Sequence, residues 1–424
     1  MCNTLARLVC HRPLAALAAR RHYQASPWGR VDGVRLPKAK EGRGTMILTK
    51  CAVCSTELGR TLGQKCGRCS TRYCGPACQK QHWEEGGHDQ LCKKIKKVGG
   101  AEQYNANKKY TEVVSVAAEA CAEDTKGQTC YICTQALHSK TKEGLVRMCA
   151  CSGTSGFAHV SCLAEQAKIL VAEAEENNLE QQPRWERWHK CGLCEQDCYG
   201  IVRCALGWAC WKTYLGRPET DWHRTAAISE HGNGLLETGL YEDALSVKET
   251  ELATLRRIGT SAHNILDVQG NLAVTYAKLE RHELALRMKR IVYSGYLKLK
   301  GEEHTDTLIS ANNYADSLIQ LQRYKTVMSV LRKTLPIARR VLGEDHHLTL
   351  RMRFNYARAL HQDPAATLDD RRESVTTLED AERTARRVLG GAHPTTTGIE
   401  DSLRNARAAL GARETPSPAI AGTA

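Results

Sequence analysis

The second half of the chain repeats a pattern of hydrophobic and polar positions every 42 residues. Asn271, Asn313 and Asn355 recur at that interval, each within a phrase of small and aliphatic residues, and a weaker copy contains Asn233. Within residues 270–291, apolar side chains recur at the spacing of an amphipathic helix. A repeat of this kind predicts antiparallel helix pairs that stack side by side, because no single unit could bury its apolar face alone.

The connectors between units share a glycine followed by a histidine. The pairs are Gly259 and His263, Gly301 and His304, Gly343 and His346, and Gly390 and His393. The last interval is 47 residues, so an insertion within 362–370 lengthens the fourth unit. We expect the histidines to be structural, because they are too far apart in sequence to form one ligand set. Basic runs such as Arg339-Arg340 and Arg386-Arg387 predict solvated helix faces of alternating charge.

The phrase from Gly270 to Leu279 and the Leu-Gly-x-x-His connectors resemble the tetratricopeptide repeat, in the longer variety of kinesin light chains. The resemblance covers residues 222–410, about four repeats, and implies an all-α solenoid with a concave groove. In that family the recurring asparagine grips a peptide backbone, which assigns Asn271, Asn313 and Asn355 to partner binding. The residues alone also allow each asparagine to cap a helix or to bond between helices, and both interpretations stay open.

Cysteine is the unusual component of the first half. The chain has 20 cysteines, and the apolar stretch from Leu14 to Ala19 is too short for a secretory signal. We therefore expect metal ligands and not disulfides. The first cluster contains Cys51, Cys54, Cys66, Cys69, Cys74, Cys78, His88 and Cys92. Cysteines two residues apart suit tetrahedral zinc, and so short a stretch needs the metal to fold.

The segment from Arg72 to Trp83, followed by His88 and Cys92, closely resembles the MYND zinc finger. The resemblance implies interleaved ligands. One site would use Cys51, Cys54, Cys74 and Cys78, and the other Cys66, Cys69, His88 and Cys92. His82 is an alternative to His88, because the family usually places this ligand closer to the sixth one. MYND fingers bind short proline-containing peptides beside a Gln and a Trp, which match Gln79 and Trp83. Trp83 could instead pack the small core.

A second series of eight ligands follows. It contains Cys130, Cys133, Cys149, Cys151, His159, Cys162, Cys191 and Cys194. Its spacing and the segment from Phe157 to Leu163 resemble the RING-variant (RING-CH) finger. Cross-bracing would pair Cys130 and Cys133 with His159 and Cys162, and the other four would form the second site. Many relatives are ubiquitin ligases that position a charged conjugating enzyme. Ile132 matches the apolar docking residue, whereas Gln166 stands where relatives often have Trp.

Two tryptophans of this region, and six cysteines of the chain, lie outside the two ligand series. Trp185 and Trp188 could refill the docking groove, or they could pack the helix predicted over 165–178 onto the finger. A further helix is predicted over 110–122. Three cysteines without paired spacing follow the finger and are predicted to be buried small hydrophobes. They are Cys198, Cys204 and Cys210.

Charge is unevenly distributed. Lys and Arg exceed Asp and Glu by 13, with an excess of eight in residues 1–50, five in 51–100 and none in the remainder. This makes nucleic acid an unlikely partner, since the basic residues lie in a leader and one small module. Residues 1–48 suit an organelle transit segment or a disordered extension. Otherwise we expect a cytoplasmic or nuclear protein, because no apolar run is long enough to span a membrane.

These features predict a mostly α protein in which two small cross-braced zinc-binding domains precede a tetratricopeptide-like solenoid. The expected domains are residues 49–94, a linker with a helix at 95–127, residues 128–216 with an inserted helix, residues 222–410, and a disordered tail at 411–424. Four zinc ions are expected, and no catalytic residue is identified. Two functions compete: a RING-variant ubiquitin ligase that recruits a conjugating enzyme and selects substrates through its repeats and MYND finger, or a non-enzymatic scaffold. Chelation should unfold residues 51–194 and spare 226–410.

Overall fold

A computed structural model describes residues 51–56, 58, 63–147, 149, 156–391 and 393–414. The predicted leader at 1–48 and the tail from residue 415 lie outside these residues. The predicted fold class is confirmed: the described chain is mostly helical, with cysteine-rich clusters in its first half and a helical solenoid in its second.

The first cysteine-rich unit combines a small hairpin with two helices. Strands β1 (Gln64–Lys65) and β2 (Arg72–Tyr73) pair antiparallel. Helices α1 (Pro76–Glu84) and α2 (His88–Lys97) follow. Gly87 joins the helices in the left-handed region, with φ of 67°, which a glycine adopts without strain. Helix α3 (Ala101–Ala120) then leads to the second unit, and it starts nine residues before the helix predicted from the sequence.

The second cysteine-rich unit is a second hairpin followed by a long helix. Strands β3 (Val146–Arg147) and β4 (Phe157–Ala158) pair antiparallel. Helix α4 (Val160–Glu176) corresponds to the inserted helix predicted over 165–178; it starts five residues earlier and ends two residues earlier. A short α5 (Gln182–Trp185) runs into a 3₁₀ turn at Glu186–Trp188.

The remaining helices form one continuous antiparallel series in which each packs against the next. They are α6 (Gly200–Tyr214), α7 (Trp222–Glu237), α8 (Tyr241–Ile258), α9 (Ala262–Lys278), α10 (His282–Lys300), α11 (Thr305–Gln320), α12 (Tyr324–Leu342), α13 (His347–Gln362), α14 (Leu368–Leu389) and α15 (Pro394–Glu414). The connector before α14 is lengthened where the insertion was predicted. A capping box there, formed by Thr367 and Asp370, fixes the start of α14.

Three of the four connector histidines cap helices, which agrees with the structural role expected from the sequence. The Nδ1 atoms of His304, His346 and His393 accept hydrogen bonds from backbone N–H groups two residues further on, at 3.1, 3.2 and 3.1 Å. Each bond satisfies a donor that the first turn of a helix leaves unpaired. The basic runs are exposed and ion-paired with the preceding unit, as Arg340 is with Glu303 and Arg387 with Asp345.

One hydrophobic core runs from the second cysteine-rich unit into the solenoid. It includes buried residues of α3, α4 and α6 together with Ala227 of α7 and Val247 of α8, so it crosses the domain boundary expected between residues 216 and 222 without a break. Helices α6 and α7 approach each other closely because Gly234 lacks a side chain: a Cβ there would lie 2.9 Å from the Arg203 carbonyl oxygen. Buried Arg203 and Glu230 form an ion pair of 2.5 Å across this contact.

Candidate metal centres and partner surfaces

The first set of predicted ligands converges at one end of the first unit. The sulfur atoms of Cys51, Cys54, Cys74 and Cys78 all lie within 4.8 Å of one another. The Cys54 and Cys74 sulfurs are 3.5 Å apart, and those of Cys74 and Cys78 are 3.4 Å apart. A turn before the hairpin supplies the first two thiols, whereas the end of the hairpin and the first turn of α1 supply the others.

The second set converges on the other side of the hairpin. Its ligand atoms, from Cys66, Cys69, His88 and Cys92, also lie within 4.8 Å of one another. His88 Nε2 is 3.4 Å from the Cys69 sulfur. The alternative ligand, His82, instead has its Nδ1 3.0 Å from the Tyr73 hydroxyl. The geometry therefore places His88 in the site and gives His82 a packing role.

A turn that holds two cysteines separated by two residues is called a knuckle here. The third set joins the first knuckle of the second unit, from Cys130 to Cys133, to the start of α4. Its members, Cys130, Cys133, His159 and Cys162, meet the same 4.8 Å criterion. His159 Nδ1 lies 3.3 Å from the Cys133 sulfur and 3.6 Å from the Cys162 sulfur. The opposite ring nitrogen, Nε2, lies 3.3 Å from the Ala136 carbonyl oxygen. Donation to that oxygen would fix the tautomer that leaves Nδ1 free for a metal.

The fourth set is described in part. Cys149, Cys191 and Cys194 bring their sulfurs within 4.8 Å of one another. Cys151, the remaining predicted ligand, lies outside the described residues. The third and fourth sets alternate along the chain, as cross-bracing requires. Cys149 lies between the two halves of the third set, and Cys191 and Cys194 follow its last member.

All four two-residue knuckles adopt the same turn. In each, the N–H of the residue after the second cysteine donates to the carbonyl of the first cysteine, at 2.8–3.1 Å. That residue has a positive φ of 59–63° although none is glycine; the four are Ser55, Ser70, Thr134 and Glu195. A left-handed conformation is uncommon for such residues and persists where surrounding structure imposes it. The fourth knuckle therefore has the same architecture as the other three.

The donor sets fit zinc. Zinc–sulfur bonds of about 2.3 Å in a tetrahedron place sulfurs roughly 3.8 Å apart, and a sulfur and a nitrogen roughly 3.6 Å apart. The observed sulfur–sulfur separations of 3.4, 3.5 and 3.8 Å lie close to or slightly below the sulfur–sulfur value and are too long for disulfides. No disulfide joins any of the cysteines that the structure describes. Three described sets are complete with four protein ligands, which is typical of structural zinc.

Hydrogen bonding within the sets prepares some thiols for ionisation. Hydrogen bonds from the Thr56 hydroxyl and amide lower the pKa of Cys54 to about 6. The hydrogen bond with Cys162 lowers the pKa of Cys130 to about 4, against the effect of burial. Conversely, sharing a proton with Cys74 raises the pKa of Cys78 to about 12. Metal binding must displace the protons that such thiols retain, so affinity rises with pH.

Sequence reasoning missed two hydroxyl groups that support the first two sites. Thr56 and Thr71 lie 3.0 and 3.1 Å from the sulfurs of Cys54 and Cys69. The signal was present as a repeated Cys-Ser-Thr phrase that ends both knuckles. Hydrogen bonds to a thiolate stabilise its charge and orient it towards a metal.

The predicted peptide-binding pair on the first unit lies on one face of α1. Gln79 and Trp83 are four residues apart, and Trp83 is 43% exposed. Its ring centroid is 5.8 Å from that of His88. The indole therefore rests its edge on the second metal set while leaving much of its surface open to solvent.

The predicted docking surface of the second unit lies between its two outer knuckles. Ile132 is half-buried in the first knuckle, and Leu193 is 50% exposed in the last. Gln166 accepts a hydrogen bond from the Tyr131 hydroxyl (3.4 Å), and a Cβ added to Gly192 would lie 3.7 Å from Gln166 Oε1. Gln166 thus lies between the two knuckles.

The two tryptophans take the packing role and leave this surface. Trp185 and Trp188 are buried, with ring centroids 5.2 and 5.8 Å from that of Tyr214 in α6. The three unpaired cysteines after the finger are buried too, and burial raises the pKa of Cys198 and Cys204 to about 12. They behave as small hydrophobes, as predicted.

The repeated asparagines divide into two groups. Asn355 is buried and donates to Asn312 Oδ1 (3.1 Å), which matches the interhelical alternative. Asn233 likewise accepts from Lys248 Nζ at 2.7 Å. Asn271 and Asn313 are half-exposed at equivalent positions of α9 and α11, and neither side chain bonds to a described residue. These two amides are available to a partner.

Two sequence families match parts of the chain. The MYND finger matches residues 51–92, and a tetratricopeptide repeat matches residues 307–348. The chain therefore contains a MYND finger and tetratricopeptide sequence, and the finger together with the cysteine–histidine clusters indicates zinc binding. No curated protein matches the sequence significantly.

Solved structures resemble part of the chain. One is a crystal structure of nearly identical TPR-like repeats assigned to a kinesin light chain of Podosopora anserina. It is 18% identical to this chain with a TM-score of 0.38, and the match covers 55% of this chain and 98% of that structure's chain. BtubC (BKLC) from P. vanneervenii is 13% identical with a TM-score of 0.34, covering 62% of this chain and 95% of its own. Among the described helices, none has both the length and the apolar character needed to cross a bilayer.

Proposed function

We propose that this chain is a protein-interaction scaffold whose first half is held together by four zinc ions. The convergence of three complete ligand sets, and of three members of a fourth, carries the proposal. Zinc would be structural in every site: four protein ligands close the coordination shell and leave no position for a reacting water. The chemistry that the metal supplies is folding energy for units too small to bury a sufficient core.

Two surfaces are assigned to partners. The α1 face with Gln79 and Trp83 would bind a short proline-containing peptide, because an exposed indole beside an amide offers both an apolar contact and a hydrogen bond. Asn271 and Asn313 would bind the backbone of an extended segment, since a side-chain amide can donate to a carbonyl and accept from an N–H. Asn355 is proposed to support this surface through Asn312 and not to touch the partner.

Metal content tests the first part of the proposal. Zinc measured by elemental analysis on protein purified without chelator should be four ions per chain, and Cys149→Ser should lose one. The matched control is Cys198→Ser, which changes a buried cysteine outside the ligand sets and should keep all four. A native sample with no zinc, or loss of an ion on Cys198→Ser, would contradict the assignment.

Peptide display on the full zinc-loaded chain tests the second part. Selected proline-containing peptides should lose at least tenfold in affinity on Trp83→Ala, and a separate set should lose as much on Asn271→Ala combined with Asn313→Ala. Asn264→Ala is the control for the second surface, because Asn264 is exposed in α9 and bonds only locally to Thr260 and Ser261. Peptides that bind all these variants equally would show that neither surface is used.

Ubiquitin transfer is a second candidate function. The position of Gln166 between Ile132 and Leu193 supports it, since the two apolar side chains could flank a docked conjugating enzyme. The protein would position the enzyme's thioester and would form no bond itself. The assay is polyubiquitin chain formation with a panel of conjugating enzymes. Ile132→Ala should abolish activity, whereas Leu137→Ala, exposed outside the knuckles, should not. A fully zinc-loaded protein that is inactive across the panel would leave only the scaffold.

A further inference from the structure

Helix α2 presents opposite faces to the metal and to solvent. Its buried residues are His88, Cys92 and Ile95. Its exposed lysines are Lys93, Lys94, Lys96 and Lys97. The helical spacing of these positions places the lysines together on the side away from the buried residues. Because His88 and Cys92 belong to a ligand set, the lysine face is mounted on a helix whose other side would be anchored to zinc.

The four lysines outnumber the one acidic residue of α2, Asp89, which lies four residues before Lys93. None of the four ammonium groups has a carboxylate within 4.0 Å among the described residues. Three pairs, such as Lys93 and Lys97, are three or four residues apart, where like charges repel and weaken a helix. The helix dipole favours cations in the last turn, but it does not supply a partner for any of them.

One helix of the solenoid, α14, pairs its exposed cations with carboxylates. Helix α14 carries four exposed arginines, and each has a carboxylate within 3.6 Å. They are Arg372, Arg383, Arg386 and Arg387. Over the whole chain, residues 101–424 carry equal numbers of basic and acidic residues, whereas residues 63–100 carry eight basic and three acidic ones. The net positive charge of the described structure is thus concentrated on the first finger.

We propose that the lysine face of α2 binds an acidic segment of a partner protein. The ten-residue helix is about 15 Å long, a length that four or five residues of extended chain would span. Carboxylates on such a segment would complement the lysines and relieve their mutual repulsion. A nucleic acid fits less well, because single-strand binding surfaces combine cations with aromatic side chains for stacking, and none of the ten residues of α2 is Phe, Tyr or Trp. The proposal rests on the lysines alone, so it does not depend on the assignment of Gln79 and Trp83.

The experiment measures fluorescence polarisation of labelled probes with the full zinc-loaded chain. The probes are a peptide of alternating Glu and Ser, its Gln and Ser counterpart, and a single-stranded oligothymidine of similar charge. The variant changes all four lysines of α2 to Gln. The control changes four other exposed lysines to Gln, namely Lys126, Lys140, Lys298 and Lys325. Zinc content and circular dichroism of both variants establish that they are folded.

The acidic peptide should bind at least tenfold more tightly than the neutral one. The α2 variant should lose at least tenfold in affinity, and the control less than twofold. Because the contact is electrostatic and exposed, raising the salt concentration should weaken wild-type binding much more than binding to the α2 variant. Equal losses in the two variants would overturn the proposal by showing that net charge alone attracts the peptide. Tighter binding of oligothymidine through the same lysines would overturn it in favour of nucleic acid. If the Gln variant failed to fold, Lys93→Gln with Lys97→Gln should still weaken binding at least threefold, and no change there would also refute the proposal.

Discussion

The ion pair between Arg203 of α6 and Glu230 of α7 tests whether the second finger and the solenoid share one core. Both side chains are buried, and Glu230 also lies 3.1 Å from His189 Nδ1, two residues before the ligand Cys191. Burial alone would raise the pKa of Glu230, but the Arg203 guanidinium and the hydrogen bond with His189 hold it below its usual range. Glu230→Gln removes the charge and keeps the shape, which leaves Arg203 buried without a counter-ion. Breaking a buried pair in this way costs about 3–5 kcal/mol.

That cost is large compared with the roughly 5–15 kcal/mol that stabilises a typical domain. The change in unfolding free energy should be measured by urea denaturation of the zinc-loaded chain, with far-ultraviolet circular dichroism as the signal that monitors unfolding. Glu176→Gln, which changes an exposed glutamate of α4, is the control and should change the unfolding free energy by less than about 0.5 kcal/mol. Replacing both partners, as Arg203→Met with Glu230→Leu, should cost less than Glu230→Gln alone, because no uncompensated charge remains.

Chelation of the same samples extends the test. The common core predicts that metal removal lowers the urea midpoint of the solenoid helices as well as unfolding the fingers. A Glu230→Gln effect below about 1 kcal/mol, together with a solenoid midpoint that chelation leaves unchanged, would refute the inference. The two regions would then be independent, as expected from the sequence.

Three further predictions concern the helical half. His231 is fully buried, and burial lowers its pKa well below the usual value, so it folds neutral. Stability should therefore fall as pH drops below about 6.5, by up to about 1.4 kcal/mol per unit, and His231→Leu should lose that part of the dependence in denaturation curves at two pH values. Gly234→Ala should destabilise by about 1–3 kcal/mol because α6 must move, whereas Gly411→Ala, with open space at its Cβ, should stabilise α15 slightly in thermal melts. Asn355→Ala should cost about 1–3 kcal/mol in urea denaturation by leaving the buried Asn312 oxygen unpaired, and a change below about 0.5 kcal/mol would exclude the interhelical role.

The metal sets could be predicted because their chemistry is written in spacing. Two cysteines separated by two residues share a turn, and the resemblance to the MYND and RING-variant fingers implied how the pairs combine into sites. The choice between His88 and His82 was harder, because both lie near one end of the finger. It is decided by the Tyr73 hydroxyl, which approaches His82 only after the hairpin has formed.

The helix pairs were also predictable, since their apolar positions repeat with the period of the unit. The extent of the core was not. Residues 200–214 lack the repeated phrase, so α6 was expected within the finger domain. Its packing on α7 depends on Gly207 and Gly234, which allow the two backbones to approach. A single glycine in a sequence does not indicate a close contact between two helices. The two groups of asparagines were equally hidden, because a period of 42 residues makes Asn313 and Asn355 look alike.

Because α6 packs closely against α7 at those glycines, α6 covers the first end of the helical stack. The last described helix of the stack is α15. Repeat arrays usually need a terminal unit with a polar outer surface to remain soluble, and here the second cysteine-rich unit, which shares a core with α6, occupies that place. During synthesis the cysteine-rich region emerges from the ribosome before any repeat does. We therefore expect the cysteine-rich region to bind metal and fold first, and each later helix pair to pack against the part that has already folded.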